Sequence, residues 1–170
     1  MGAVSVFPEI LYVMAEDLLE ACNEAHLKLT VAESCTGGLI AGCITSVAGS
    51  SSVFERGFVT YTNEAKSQML GVPAPLFDTV GAVSEEVARD MAEGALAHSN
   101  ADLSLSVTGI AGPGGGSAEK PVGLVHIACA RKGFATRHER HVFKGDRNRV
   151  RIQAVESGLK LLLNCCAAVH

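Results

Sequence analysis

The chain has 170 residues, a formal net charge of −4, 48% apolar residues and only 19% charged ones. That balance excludes a disordered chain. No apolar run reaches the ~18 residues of a membrane span. The acidic balance disfavours a nucleic-acid partner. With no Trp and 5% aromatics, the core must be built from Val, Leu, Ile and Ala. A domain of this length buries roughly 70% of its unfolded surface, so one domain over residues 1–170 needs no metal or disulfide staple. The N-terminus has no basic segment followed by an apolar run, so no signal peptide is expected. The six cysteines (Cys22, Cys35, Cys43, Cys129, Cys165 and Cys166) contain no Cys-x-x-Cys pair. They read as reduced core thiols of a cytoplasmic protein.

In chain order, residues 8–26 predict a helix with the stripe Ile10, Met14, Leu18, Cys22 and Ala25. Leu29–Glu33 reads as a strand, and Thr36-Gly37-Gly38 opens a helix to about Ser46. A Gly/Ser turn over 48–52 leads to a strand at Gly57–Thr62. Asn63 is the expected cap of a short helix, followed by a loop over 71–82. Ser84 caps the next helix, and Glu85 and Glu86 suit its dipole. Leu103–Val107 reads as a strand, then Thr108–Ser117 as a glycine-rich loop. A hairpin turning at Lys132-Gly133 and a final helix capped by Asp146 complete the chain. The final helix carries Ile152, Val155, Leu159 and Leu162 on one face. Alternating strands and helices predict an α/β domain of three layers, α/β/α. The late hairpin makes its sheet mixed.

Four stretches could carry chemistry. Glu33-Ser34-Cys35-Thr36-Gly37-Gly38 joins a strand end to a helix start, where free N–H groups favour an anion. A plain strand–helix corner is the alternative. Cys35 could be a nucleophile there, although a buried core thiol is the simpler reading. Thr108 to Ser117 matches neither a P-loop nor Gly-x-Gly-x-x-Gly. It still lies where α/β sheets bind ligands, at a strand's C-terminal end. Ser50, Ser51 and Ser52, with Tyr61 and Lys66, could form a serine nucleophile and its lysine base. Apolar Phe58, Val59 and Met69 near Lys66 would disfavour its ammonium. An exposed lysine and a capping serine run are the alternative.

The fourth stretch, residues 143–151, places several cations at a helix start, where an anion would offset their cost to the dipole. The charge split supports that interest. Residues 1–120 hold 5 Lys/Arg against 15 Asp/Glu, a net of −10, and residues 121–170 hold 9 against 3, a net of +6. Two oppositely charged solvated faces would give the same split. His138 and His141 alternate to opposite faces of an expected strand, so they are not expected to share a metal.

Together these stretches resemble one family, the nicotinamide-nucleotide amidohydrolases, also known as the CinA C-terminal domain. The resemblance is carried by Val31-Ala32-Glu33-Ser34-Cys35-Thr36-Gly37-Gly38, Ala48–Phe54, Gly57–Lys66, Gly81–Ser84, Thr108–Pro113, Lys120–Gly123 and Gly145-Asp146-Arg147. It implies an α/β/α domain, usually a cytoplasmic homodimer. It also implies hydrolysis of nicotinamide mononucleotide (NMN) to nicotinate mononucleotide and ammonia, a step of pyridine-nucleotide salvage, without cofactor or metal. On the resemblance, Ser51 is the nucleophile, Lys66 its lysine and Tyr61 the active-site tyrosine, with Ser50 and Ser52 one residue away in register. Glu33, Ser34, Thr36, Gly37, Gly38, Ser50, Thr108, Gly109, Ala111, Gly112 and Arg147 are the expected substrate contacts. A Ser/Lys amidase on another small amide, or a non-catalytic nucleotide-binding dimer, are the competing functions.

Overall fold

Five strands form one sheet in the order β2-β1-β3-β4-β5, from β1 (Leu29–Glu33), β2 (Phe54–Val59), β3 (Leu103–Gly109), β4 (Leu124–Arg131) and β5 (Arg137–Val142). The computed structural model describes residues 6–168. β1 runs parallel to both β2 and β3, whereas β4 and β5 are antiparallel to their neighbours, so the sheet is mixed. All five β1 residues are buried, which a strand covered by helices on both faces requires.

Helices α1 (Glu9–Glu24), α2 (Leu39–Thr45) and α6 (Arg147–Cys166) cover one face. Helices α3 (Asn63–Leu70), α4 (Pro75–Thr79) and α5 (Glu85–Ala97) cover the other. The expected α/β/α layering is the observed one. α6 lies so close to β3 that a Cβ on Gly158 would stand 2.8 Å from a Leu105 methyl, inside van der Waals contact. The core is aliphatic, with Leu18, Leu29, Ile40, Ile44, Leu103, Ile127 and Leu159 fully enclosed.

Several local expectations shift. The α1 stripe is offset, because Ile10 is exposed while Leu11 and Ala15 join Met14, Leu18 and Cys22 inside. The second strand begins at Phe54, three residues earlier than its pattern suggests. Thr62, not Asn63, caps α3, its hydroxyl accepting from the Ala65 N–H at 3.1 Å. The loop over 71–82 contains α4, with Pro75 in its first turn. The expected caps of α5 and α6 are made: Ser84 Oγ accepts from Val87 N–H at 3.3 Å and Asp146 Oδ1 from Arg149 N–H at 2.9 Å.

All six cysteines are buried free thiols. His138 Nε2 pairs with His126 Nδ1 at 2.8 Å, while His141 leans on Glu139. Among the described residues no group of three or more His, Cys, Asp or Glu is arranged to hold a metal ion, and no helix is long and apolar enough to cross a membrane.

Candidate active site

The parallel strands fix two rims. β1 and β2 both end at one rim, with Glu33 beside Val59, and β3 delivers Gly109 to it. The residues that follow these ends (Ser34 and Cys35, Tyr61, Ala111) enclose a cavity of about 210 Å³ with Lys66, Ala82, Val83 and Arg147. This is the C-terminal side of the parallel strands, where sheets of this kind hold ligands.

Lys66 stands on α3 and is 2% exposed. Its Nζ is 3.0 Å from Ser34 Oγ and 3.0 Å from the Thr60 carbonyl oxygen. No carboxylate pairs with it among the described residues. Burial therefore holds its pKa below the ordinary lysine value. A neutral amine within hydrogen-bond reach of a serine can take that serine's proton.

The expected Ser51–Lys66 pair is not made. Ser50–Ser52 form a short 3-10 turn before β2, and Lys66 follows its far end. The turn is tied to the start of β1, where Leu29 N–H donates to Val53 O at 2.9 Å. A six-residue strand rises roughly 17 Å between its ends, so Ser50 and Ser51 sit at the opposite rim. The residue that Lys66 meets is Ser34, which the resemblance had placed among the substrate contacts.

Glu33 is also corrected. Its carboxylate is buried, with Oε1 accepting from Ile40 N–H at 2.9 Å and Oε2 from Ala41 N–H at 3.0 Å. The anion expected at the start of α2 is thus supplied by the protein itself, from the preceding strand. Replacing Glu33 by Gln puts an amide N–H₂ against one of these donors. Glu33→Gln should lower the stability by about 2 kcal/mol, read as a lower urea midpoint with an unchanged slope.

The other expected contacts divide. Gly109 and Ala111 line the cavity with Tyr61 and Arg147. Arg147 donates to Gly112 O and to Tyr61 Oη, both at 2.9 Å, and so ties the glycine loop to the tyrosine at the cavity mouth. Thr108 Oγ1 is buried and donates to Ala82 O at 2.8 Å, which makes it a support of the cavity wall. Thr36 Oγ1 is buried without a hydrogen-bond partner among the described residues. Gly37 and Gly38 carry the chain into α2 with φ of +57° and +102°. Cys35 lines the cavity, but burial pushes its thiol up to about 12, which leaves no thiolate near neutrality. Val83 and Asn63 also border the cavity; both fall in stretches that carry the resemblance, but neither is among the expected substrate contacts.

A mixed sheet between two helical layers, with a buried lysine–serine pair at the C-terminal ends of its parallel strands, defines an α/β protein with a candidate site at that rim. The chain belongs to the CinA C-terminal domain family, which it matches over residues 11–166. It is 49% identical over 152 residues to the nicotinamide-nucleotide amidohydrolase PncC of Escherichia coli (strain K12), covering 89% of this chain and 92% of that protein. It is 56% identical over 147 residues to a CinA-like protein of Citrifermentans bemidjiense, covering 82% of this chain. The chain spans 35% of the length of that longer relative. The crystal structure of competence/damage inducible protein CihA from Agrobacterium tumefaciens superimposes with a TM-score of 0.92 at 48% identity, covering 95% of this chain and 99% of that one.

Proposed function

We propose that the protein hydrolyses the carboxamide of NMN to nicotinate mononucleotide and ammonia, with Ser34 as nucleophile and Lys66 as its base. The observation that carries this reading is the 3.0 Å approach of Lys66 Nζ to Ser34 Oγ at the cavity. The kinship to a protein named nicotinamide-nucleotide amidohydrolase supplies the substrate.

Neutral Lys66 takes the hydroxyl proton as Ser34 Oγ bonds to the carboxamide carbon. The C–N bond then breaks, and the proton passes from Lys66 to the departing nitrogen, so ammonia leaves. Water attacks the acyl-serine ester, gives its proton to Lys66, and the acid departs as Ser34 regains a proton. The Thr60 carbonyl holds the amine in place throughout. The pyridinium of the substrate opposes protonation of Lys66 by like charge. A cavity of about 210 Å³ is smaller than a typical ligand pocket. It suits the ring and amide, leaving the phosphate at the mouth beside Arg147. Tyr61 shares that mouth through its bond to Arg147. The resemblance adds a cytoplasmic homodimer acting in pyridine-nucleotide salvage.

The test is ammonia release from NMN and, separately, from free nicotinamide. The reading requires turnover of NMN and far less of nicotinamide. Thermal stabilisation by NMN without turnover would replace it with a binding module. Equal turnover of unrelated small amides would replace it with a general Ser/Lys amidase.

A further inference from the structure

Arg151 stands one helical turn beyond Arg147 on α6. It is half-buried and absent from the cavity lining, and the Ser34–Lys66 chemistry makes no use of it. Its Nε donates to Cys35 O at 3.1 Å and its Nη2 to Thr36 O at 3.2 Å. Both carbonyls belong to the turn that begins at Ser34. Gly37, with φ of +57°, faces the guanidinium, and a Cβ there would stand 3.4 Å from Nη2, in ordinary van der Waals contact.

The turn is also held by its own backbone. Ser34 N–H donates to Val107 O at 2.9 Å, Gly37 N–H to Ser34 O at 3.0 Å and Leu39 N–H to Thr36 O at 3.0 Å. Ile40 and Ala41 donate to Glu33. The N–H groups of Cys35, Thr36 and Gly38 have no hydrogen-bond partner among the described residues.

We propose that Arg151 is a positioning residue. By gripping the Cys35 and Thr36 carbonyls it fixes the turn that carries Ser34 and so holds Ser34 Oγ against Lys66. This rests on Ser34 being the nucleophile. The planar fork of arginine spans two carbonyls, whereas a lysine ammonium is a point donor. Arg151→Lys should therefore restore only part of the effect.

The experiment compares wild type, Arg151→Ala and Arg151→Lys, each checked for a cooperative melt. With NMN, Arg151→Ala should lose about 100-fold in kcat while KM stays within about threefold. Added guanidinium chloride at non-denaturing concentration should restore at least a tenth of the lost rate. A raised KM with unchanged kcat, or a loss that guanidinium leaves untouched in a folded variant, overturns the proposal. A second readout does not depend on the substrate. A fluorophosphonate bonds to serine oxygen and expels fluoride, the proton passing to Lys66. Its labelling of Ser34 should slow similarly in Arg151→Ala and recover with guanidinium. If that holds while NMN is not turned over, the positioning role stands and the substrate reading fails. If the label never reaches Ser34 in wild type, both fail. Equal labelling of wild type and Arg151→Ala overturns the positioning role alone.

Discussion

Ser34→Ala should reduce ammonia release from NMN by about 10³-fold or more, whereas Ser51→Ala should leave it within about twofold. The two serines lie at opposite rims of the sheet, and only Ser34 meets the buried amine. Removing a nucleophile leaves only what binding and polarisation contribute, so the loss is large. Ser51 is exposed on a surface turn, where a lost hydroxyl costs little. The check is steady-state ammonia release by both variants beside wild type, with intact-mass detection of an acyl adduct. A large loss in Ser51→Ala with a fully active Ser34→Ala would move the nucleophile to the other rim and end the Ser34–Lys66 mechanism.

Lys66→Met should abolish turnover to a similar extent and, unusually, raise the melting temperature at neutral pH. Methionine keeps the unbranched stem inside and removes an amine that burial disfavours in its charged form. The pH dependence follows from the same depressed pKa. Between the folded value and the ordinary 10.5 the unfolded chain holds a proton that the folded chain lacks. Stability therefore rises with pH across that window and is lost as pH falls through it. Below the folded value both states are protonated, and the cost is complete. Activity has the same sign. kcat/KM should climb as pH rises through the Lys66 pKa and level above it. Melting curves and rate profiles for wild type and Lys66→Met test both statements. A Lys66→Met variant that is both less stable and still active would refute the buried-base assignment.

Much of the fold is legible in the sequence because its signals are local. Leu29–Glu33 is an unbroken buried strand, Ser84 and Asp146 cap the helices that they precede, and the late hairpin turns where Lys132-Gly133 interrupts the strands. The family is legible too. The partner of Lys66 is not, and the reason is geometric. A strand between two residues reads as a short separation along the chain, yet it carries them to opposite rims. Residues far apart in sequence, such as Ser34 and Lys66, meet because β1 and β2 are parallel neighbours and both end at the same side. That neighbour relation depends on the whole sheet order. The role of Glu33 is hidden for a related reason. Glu33 looks like a strand-end residue open to a ligand until the two N–H groups on α2 that it satisfies are located. The basic tail is likewise partly spent inside. Arg131 closes the carbonyl end of α6 on Cys165, Cys166 and Ala168, and Arg151 holds the Ser34 turn.

The absence of an acidic partner for Lys66 among the described residues also bears on how a cycle ends. Hydrolysis turns a neutral amide into a carboxylate beside that amine. Where Lys66 is neutral, the new charge meets no fixed cation at the inner end of the cavity, and departure of the acid is favoured. Where the amine is protonated, the same carboxylate becomes its counter-ion and is retained. Under the proposed mechanism, inhibition by accumulated nicotinate mononucleotide should therefore deepen as the medium is acidified, coupling the release step to the proposed base.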